Sequence, residues 1–192
     1  MGAKAGLLFS GLDEHSEVFG RLAGLATVIE EAAGLIQATL SRGGKLLLCG
    51  NGGSAADSQH IAAELTGRFV KDRRPLAAVA LSTDTSALTC IANDYSFDEV
   101  FSRQVMALGQ RGDCLLGIST SGNSRNIIRA AEVARPAGIH VIGLLGRDGG
   151  ALRALCDVPI VVPSSTTARI QEAHIFIGHT LCAMVEEALG LA

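Results

Sequence analysis

The chain has 192 residues, of which 48% are hydrophobic, so it is long enough to bury a large core within one domain. Its net charge is -3 and its acidic and basic residues are interspersed, which argues against a nucleic-acid partner. The densest basic cluster, Lys71 to Arg74, is expected to be a solvated loop. No apolar run approaches the ~18 residues that cross a bilayer, so we expect no membrane partner.

The first predicted element is helical. Apolar residues recur from Val18 to Ile36 at alternating spacings of four and three residues, which predicts one helix with an apolar stripe. The glycines of "SRGG", residues 41–44, predict its end. We expect a single domain over residues 1–192, with this N-terminal helical extension over about residues 1–42.

After Gly44 the chain alternates between apolar runs and helical patterns. The apolar runs predict five strands, at residues 45–49, 76–81, 114–118, 140–145 and 158–162. The helical patterns lie at residues 54–67, 86–109, 123–136, just after Gly150, and 166–189. Because the strands are continuously apolar, both of their faces are expected to be buried. This order predicts a three-layer α/β fold, with a parallel sheet between helices.

Polar, glycine-rich loops follow the first and third predicted strands. They read "GNGGSA" at residues 50–55 and "STSGNS" at residues 119–124, and each precedes a predicted helix. Ligands bind at the carboxyl ends of parallel strands, and free N–H groups at a helix start attract anions. The hydroxyl groups of these loops suit a phosphate. The alternative is that they only cap helices and form turns.

The helix after the first loop carries two candidate catalytic side chains. His60 and Glu64 lie four residues apart and therefore share one face, which Asp57 extends.

The closing helix carries Gln171, His174 and His179 among apolar residues, and a helix of this composition is buried. Spacing alone does not choose between His174 and His179. Buried polar groups need partners, and the alternative that His179 and Gln171 are satisfied core residues is usually the better interpretation of a single histidine.

Several motifs in order carry a resemblance to a known family. They are "GNGGSAADSQHIAAELTGRF", "STDTSALTCIANDYSFDEVFSRQV", "GDCLLGISTSGNS", "GLLGRDGG" and "ARIQEAHIFIGHTLC". From about Gly44 to its end, the sequence resembles the phosphoheptose isomerases of the sugar isomerase (SIS) domain family. The resemblance implies a flavodoxin-like, five-stranded parallel sheet flanked by helices, and a homotetramer with active sites between subunits. It also implies conversion of sedoheptulose 7-phosphate to D-glycero-D-manno-heptose 7-phosphate, the first step towards activated heptose for lipopolysaccharide or other surface glycans.

The resemblance also assigns site residues, position by position. The residues that it implies for substrate binding are Asn51, Gly52, Gly53, Ser54, Glu64, Asn93, Asp94, Ser119, Thr120, Ser121, Ser124 and Gln171, with the four residues from Ser119 to Ser124 at the phosphate. Some family members bind one zinc ion per subunit through positions that match His60, Glu64, Gln171 and His179. The resemblance thereby selects His179 over His174.

We hypothesise that Glu64 is the base at carbon and His179 the acid/base at oxygen in an isomerisation through an enediol. Zinc would polarise the carbonyl group. A metal-independent route stays open, because a carboxylate bound to zinc is a weaker base and glutamine is a rare zinc ligand.

Three alternative functions are open, and the nearest of them shares the predicted fold. SIS-family regulators that bind the initiator DnaA resemble this sequence but tend to lack the residues that match Glu64, His179 and the second serine of "STSG", all of which are present here. An isomerase of another sugar phosphate would have similar phosphate loops. A sugar-phosphate sensor would need an effector domain, for which 192 residues leave no room.

The five cysteines are widely scattered and form no C-x-x-C motif. This pattern argues against a disulfide framework and for a reducing compartment. We therefore expect a cytoplasmic protein.

Overall fold

The structure is a computed structural model that describes residues 3–192. Its five parallel strands are β1 (Leu46–Gly50), β2 (Ala78–Ala80), β3 (Cys114–Ser119), β4 (His140–Gly146) and β5 (Val158–Val162). The strand order is β2-β1-β3-β4-β5, and every neighbouring pair is parallel. This order is that of the flavodoxin-like sheet, so the predicted α/β fold is confirmed.

Helices cover both faces of this sheet. The α-helices are α1 (Ala3–Leu22), α2 (Ala26–Ser41), α3 (Gly53–Thr66), α4 (Thr85–Asp94), α5 (Ser102–Leu108), α6 (Arg125–Ala134) and α7 (Thr167–Ala188). Short 3₁₀ helices occupy Ala23–Leu25, Phe97–Glu99 and Ala151–Leu155. Across residues 3–192, every helix is too short or too polar to qualify as a membrane span.

The sheet separates two apolar clusters. Leu46 and Leu48 of β1 face the cluster formed with α2, α3 and α7, whereas Leu47 and Cys49 face the cluster formed with α5 and α6. Both faces of the central strands are therefore buried, as predicted. In the edge strand β5, buried and partly exposed residues alternate instead.

The predicted N-terminal helix is interrupted. The 3₁₀ turn Ala23–Leu25 separates α1 from α2, and Leu25, predicted in the apolar stripe, is only partly buried. Gly24 lies in this turn and is exposed, and glycine weakens a continuous α-helix. The helix ends at Ser41, before Gly43 with φ of 80°, as the glycines predict. The first two residues of the predicted extension, 1 and 2, lie outside the described residues.

The single helix predicted over residues 86–109 is wrong. Between α4 and α5 the chain makes a 3₁₀ turn, and Ser96 has an extended backbone with φ of -170° and ψ of 164°. Asn93 and Asp94, just before this break, hydrogen-bond to each other, and such residues compete with helical hydrogen bonding. The other predicted helix and strand boundaries agree within two residues.

Candidate active site

The site is built on α3 and α7, which lie side by side. A Cβ atom added to Gly53, at the start of α3, would lie 2.5 Å from Nε2 of Gln171 in α7. Further along, a Cβ atom on Gly178 would lie 2.6 Å from Cδ1 of Ile61. Because the paired residue numbers rise together, the two helices are parallel. Both begin at the carboxyl edge of the sheet, after β1 and β5.

Three predicted site residues meet between these helices within one chain. Nε2 of His60 lies 3.0 Å from Nε2 of His179 and 3.1 Å from Oε1 of Glu64. One nitrogen or oxygen atom from each of the three side chains lies within 4.8 Å of the others. The side chain of His60 is 48% exposed and that of Glu64 is 24% exposed, so the cluster is open to a ligand.

His174 occupies a different environment on the same helix. Its ring is fully buried, and Nε2 donates a hydrogen bond of 3.0 Å to the carbonyl oxygen of Leu145. Burial lowers the pKa of His174 to about 4, so this ring is neutral near pH 7. His174 is therefore a core residue, and His179 is the histidine that faces His60 and Glu64.

The donor set of this cluster matches a zinc site. Two histidine nitrogens and one glutamate oxygen are the protein ligands of many catalytic zinc sites, in which a fourth position stays open. The amide of Gln171, the predicted fourth ligand, lies against Gly53, which is seven residues and ~10 Å along α3 from His60. The structure thus brings three of the four predicted ligands together and holds Gln171 at the start of α3.

The loops after β1 and β3 are joined by a pair of amides. Asn51 and Asn126 each donate a hydrogen bond to the other, at 2.9 and 2.8 Å. Asn126 lies in the first turn of α6 and is only 2% exposed, so this contact fixes the first loop relative to the second. Sequence reasoning missed Asn126. The only signal was an asparagine in the first turn of the helix predicted over residues 123–136, since asparagine has a low helix propensity.

The serine-rich loop after β3 is folded by its own hydroxyl groups. Oγ of Ser119 lies 3.1 Å from Oγ of Ser124 and accepts a hydrogen bond from the N–H of Gly122. Ser124 precedes α6, but its side chain makes no cap hydrogen bond to the helix. Gly122 has φ of 64° and would, with a side chain, collide with the carbonyl oxygen of Gly149, so the loop after β4 packs directly on it.

The remaining predicted loop residues lie at the same carboxyl edge of the sheet. Gly52, with φ of 56°, directly precedes α3, and Ser54 in the first turn of α3 is buried. Thr120 and Ser121 follow β3 and are both partly buried, and Oγ of Ser121 accepts a hydrogen bond from the N–H of Asn123. A phosphate at these loops stays a prediction.

Asn93 and Asp94 stand apart from the other predicted residues. Both are exposed at the end of α4, where Nδ2 of Asn93 donates a hydrogen bond of 2.8 Å to Asp94. This hydrogen bond, together with one from Cys90, lowers the pKa of Asp94. Within residues 3–192, neither side chain hydrogen-bonds to another predicted site residue.

Asp57 lies one turn before His60 on α3. Its Oδ2 atom is buried and has no hydrogen-bond partner among the described residues. Burial raises the pKa of Asp57, and the nearby His60 partly offsets this rise.

The prediction that Lys71 to Arg74 form a solvated loop is wrong for Arg73. The side chain of Arg73 is 2% exposed and forms an ion pair of 2.7 Å with Glu186 of α7. Its neighbours Lys71 and Arg74 are exposed, as predicted. Composition alone does not distinguish the one buried arginine from the exposed residues beside it.

Comparison with known proteins identifies the family. The SIS domain profile matches residues 12–146. A protein of Helicobacter hepaticus named phosphoheptose isomerase is 53% identical over 184 residues, which are 96% of this chain and 94% of that protein. The chain belongs to the phosphoheptose isomerases.

Solved structures of phosphoheptose isomerases have the same fold. That from Neisseria gonorrhoeae is 48% identical, with a TM-score of 0.92 over 96% of this chain and 100% of that one. That from Francisella tularensis is 37% identical, with a TM-score of 0.94 over 97% of this chain and 100% of that one. The resemblance seen in the motifs from about Gly44 onward is confirmed, and the SIS profile extends it into α1.

Proposed function

We propose that this protein is an aldose–ketose isomerase that converts sedoheptulose 7-phosphate to D-glycero-D-manno-heptose 7-phosphate, the first step towards activated heptose. The observation that carries the proposal is the cluster of His60, Glu64 and His179 in a chain 53% identical to a named phosphoheptose isomerase. That identity favours isomerisation over the role of an initiator regulator.

The geometry suits a long substrate with a phosphate at one end. The glycine loop lies at the start of α3 and the serine loop at the start of α6, after the neighbouring strands β1 and β3, where free N–H groups and hydroxyls favour an anion. His60 and Glu64 lie seven and eleven residues beyond Gly53, which is ~10 and ~16 Å along the helix. An open-chain heptose phosphate held by its phosphate at the loops extends its reactive carbons towards the cluster.

The reaction moves one proton from C1 to C2 and another from the oxygen on C1 to the oxygen on C2, and each side chain serves one of these two exchanges. The carboxylate of Glu64 takes a proton from C1 of the ketose and returns it to C2. His179 donates a proton to the oxygen on C2 and accepts one from the hydroxyl on C1. The enediol between these steps is neutral at both oxygens, and the proton count on the enzyme is restored at the end.

We also propose that one zinc ion binds in each subunit, held by His60, Glu64 and His179; Gln171, the predicted fourth ligand, would have to turn away from Gly53 to join them. When bound, zinc would polarise the substrate carbonyl and stabilise negative charge on the two oxygens. Metal analysis of protein purified without chelators tests this proposal. A stoichiometric metal content in the wild type and its loss in His60→Ala is the expected result.

We propose further that the chain forms a cytoplasmic homotetramer of single SIS domains, with active sites completed between subunits. Its support is an apolar surface on α1, part of the N-terminal helical extension, where Leu7, Leu8 and Leu12 are 76%, 61% and 52% exposed. Soluble monomers rarely leave such neighbouring side chains uncovered. All five cysteines are free thiols, which suits a reducing compartment.

Nuclear magnetic resonance of the product tests the activity directly. We expect the wild type to convert sedoheptulose 7-phosphate, and Glu64→Gln and His179→Ala each to lose about 10²–10⁴-fold in kcat with the fold intact. Glu187→Gln, an equivalent change at an exposed position near the end of α7, is the matched control and keeps full activity. Near-normal kcat in both site variants removes these residues from the mechanism, and an inactive wild type removes the proposed function.

A further inference from the structure

The guanidinium group of Arg73 is directed back onto the end of α3. Arg73 lies in the irregular segment between α3 and β2. Its Nη2 atom donates a hydrogen bond of 2.7 Å to the carbonyl oxygen of Glu64. Its Nη1 atom donates to the carbonyl oxygens of Leu65 and Gly67, at 2.7 and 2.9 Å. Its Nε atom donates to Oε1 of Glu186, at 2.7 Å. Each guanidinium nitrogen therefore has an acceptor.

These contacts make Arg73 the cap of the C-terminal end of α3. The last carbonyl groups of a helix have no partner within it, and a cation at this end complements the helix dipole. One of the carbonyls that Arg73 binds belongs to Glu64, the proposed base. The main chain of Glu64 is therefore held by a side chain nine residues further along the sequence.

Glu186 connects this cap to α7. Its side chain is 2% exposed, and the same Oε1 atom that binds Arg73 also accepts a hydrogen bond of 3.2 Å from the N–H of Phe69. Glu186 lies seven residues after His179, which is ~10 Å along α7. The pair thus joins the end of α3 to α7 beyond the cluster, while Gly53 and Gln171 are in contact at the other end.

The geometry of the ion pair explains its presence better than a gain in stability does. A buried ion pair is often no more stabilising than apolar residues of the same size, because both charges lose their hydration. A guanidinium fork, in contrast, fixes direction, and a lysine ammonium cannot bind three carbonyls and a carboxylate in the same planar arrangement.

We propose that Arg73, acting through Glu186 and the main chain of Glu64, is a positioning residue that holds the base opposite His179; this inference rests on the proposed isomerase function. A displacement of ~1 Å at reacting groups lowers the rate about 100-fold. The phosphate loops lie at the opposite end of α3, so substrate binding is not expected to depend on Arg73.

Steady-state kinetics of three variants test the proposal. Arg73→Lys keeps the charge and removes the fork. The double variant Arg73→Met with Glu186→Leu replaces both charges by apolar side chains, so that no buried charge is left unpaired, and it removes the hydrogen bonds to the end of α3. Arg74→Lys is the matched control, because Arg74 is the exposed neighbour of Arg73.

We expect kcat to fall about 10–100-fold in Arg73→Lys and in the double variant, with KM within about threefold of the wild type, and no change in Arg74→Lys. The double variant is expected to have a thermal midpoint close to that of the wild type, but a lowered kcat. If its kcat also equals that of the wild type, or if Arg73→Lys behaves like Arg74→Lys, the positioning role is refuted. If the wild type itself does not turn over sedoheptulose 7-phosphate, the proposed function fails instead.

Discussion

Two histidines five residues apart on α7 have opposite environments. His179 faces the side chains of His60 and Glu64, whereas His174 is fully buried and bonded to a main-chain carbonyl. A buried histidine with a lowered pKa reports on folding, since the folded chain resists taking up a proton that the unfolded chain accepts.

We predict that His174 makes stability depend on pH in mildly acidic solution. Its pKa is about 4 in the folded chain, against 6.5 ordinarily. As the pH falls below 6.5, the unfolded chain binds a proton and the folded chain does not, so the free energy of unfolding falls until the pH reaches about 4. The loss between pH 7.5 and pH 5 is about 2 kcal/mol.

The variant His174→Gln isolates this effect, because its amide N–H can still donate to the carbonyl of Leu145 and does not titrate. It is expected to be less stable at pH 7.5 but to lose about 2 kcal/mol less on acidification, as measured by chemical denaturation at several pH values. Parallel pH profiles for the two proteins would show that His174 titrates normally.

For single residues, residue type and spacing predicted which side chains are candidate site residues, but not the environment of each side chain. Both histidines fit a buried helix, and only the groups opposite them, Leu145 for one and His60 for the other, distinguish a core residue from a site residue. Asn126 and Arg73 were missed for the same reason, since each derives its role from a residue more than seventy positions away, Asn51 and Glu186 respectively.

The contact between α3 and α7 depends on a small residue. Gly178 lies within α7, and a Cβ atom there would lie 2.6 and 2.8 Å from Cδ1 and Cγ1 of Ile61. Ile61 is 2% exposed and β-branched, so its side chain has few alternative rotamers. The glycine therefore permits a close approach of the two helices beside His60 and His179.

We predict that Gly178→Ala destabilises the protein by about 1–2 kcal/mol, as overpacking exceeds the gain in helix propensity. It is also expected to lower kcat, because separating the helices moves His179 away from His60. Gly34→Ala is the matched control. Gly34 is exposed on α2, with no atom within 4 Å of an added Cβ, so alanine is expected to stabilise the protein by about 0.5–1 kcal/mol.

Chemical denaturation and steady-state kinetics of both variants distinguish the outcomes. If Gly178→Ala is as stable as Gly34→Ala and retains full kcat, the spacing of α3 and α7 is not limiting at this point.

The periodicity of the sequence predicted most elements, because the strands are short apolar runs and the helices begin near glycine- or serine-containing loops. It failed where local backbone preference outweighed the apolar pattern. Tyr95 and Ser96 break the predicted long helix, and Gly24 breaks the predicted N-terminal one. The apolar stripe continues in phase across Gly24, so periodicity alone gives no sign of that break.

For the molecule as a whole, the parallel sheet followed from βαβ connectivity and its flavodoxin-like form from the family resemblance, but the outer surface followed from neither. The helix α1 is fixed to α7 by a hydrogen bond of 2.8 Å between His15 and Glu172 and by Arg169, which donates to the carbonyl of Gly11. Beside these contacts Leu8 and Leu12 are exposed, one turn apart, and they line a groove together with His15, Arg169 and Glu172. The sequence showed an apolar helix without showing which of its residues the sheet covers.

We predict that the stripe formed by Leu8 and Leu12 is covered by a second copy of the chain. Light scattering is expected to give about four times the chain mass for the wild type and a smaller mass for Leu8→Glu or Leu12→Glu, since a buried carboxylate without a partner disfavours the contact. Ser10→Glu adds the same charge to α1 away from the stripe and is expected to leave the mass unchanged. Because α1 is fixed to the helix that carries His179, we expect kcat to fall with the mass. A smaller species that keeps full kcat would support the interface but contradict an active site completed between subunits. An unchanged mass in both leucine variants would contradict the interface itself.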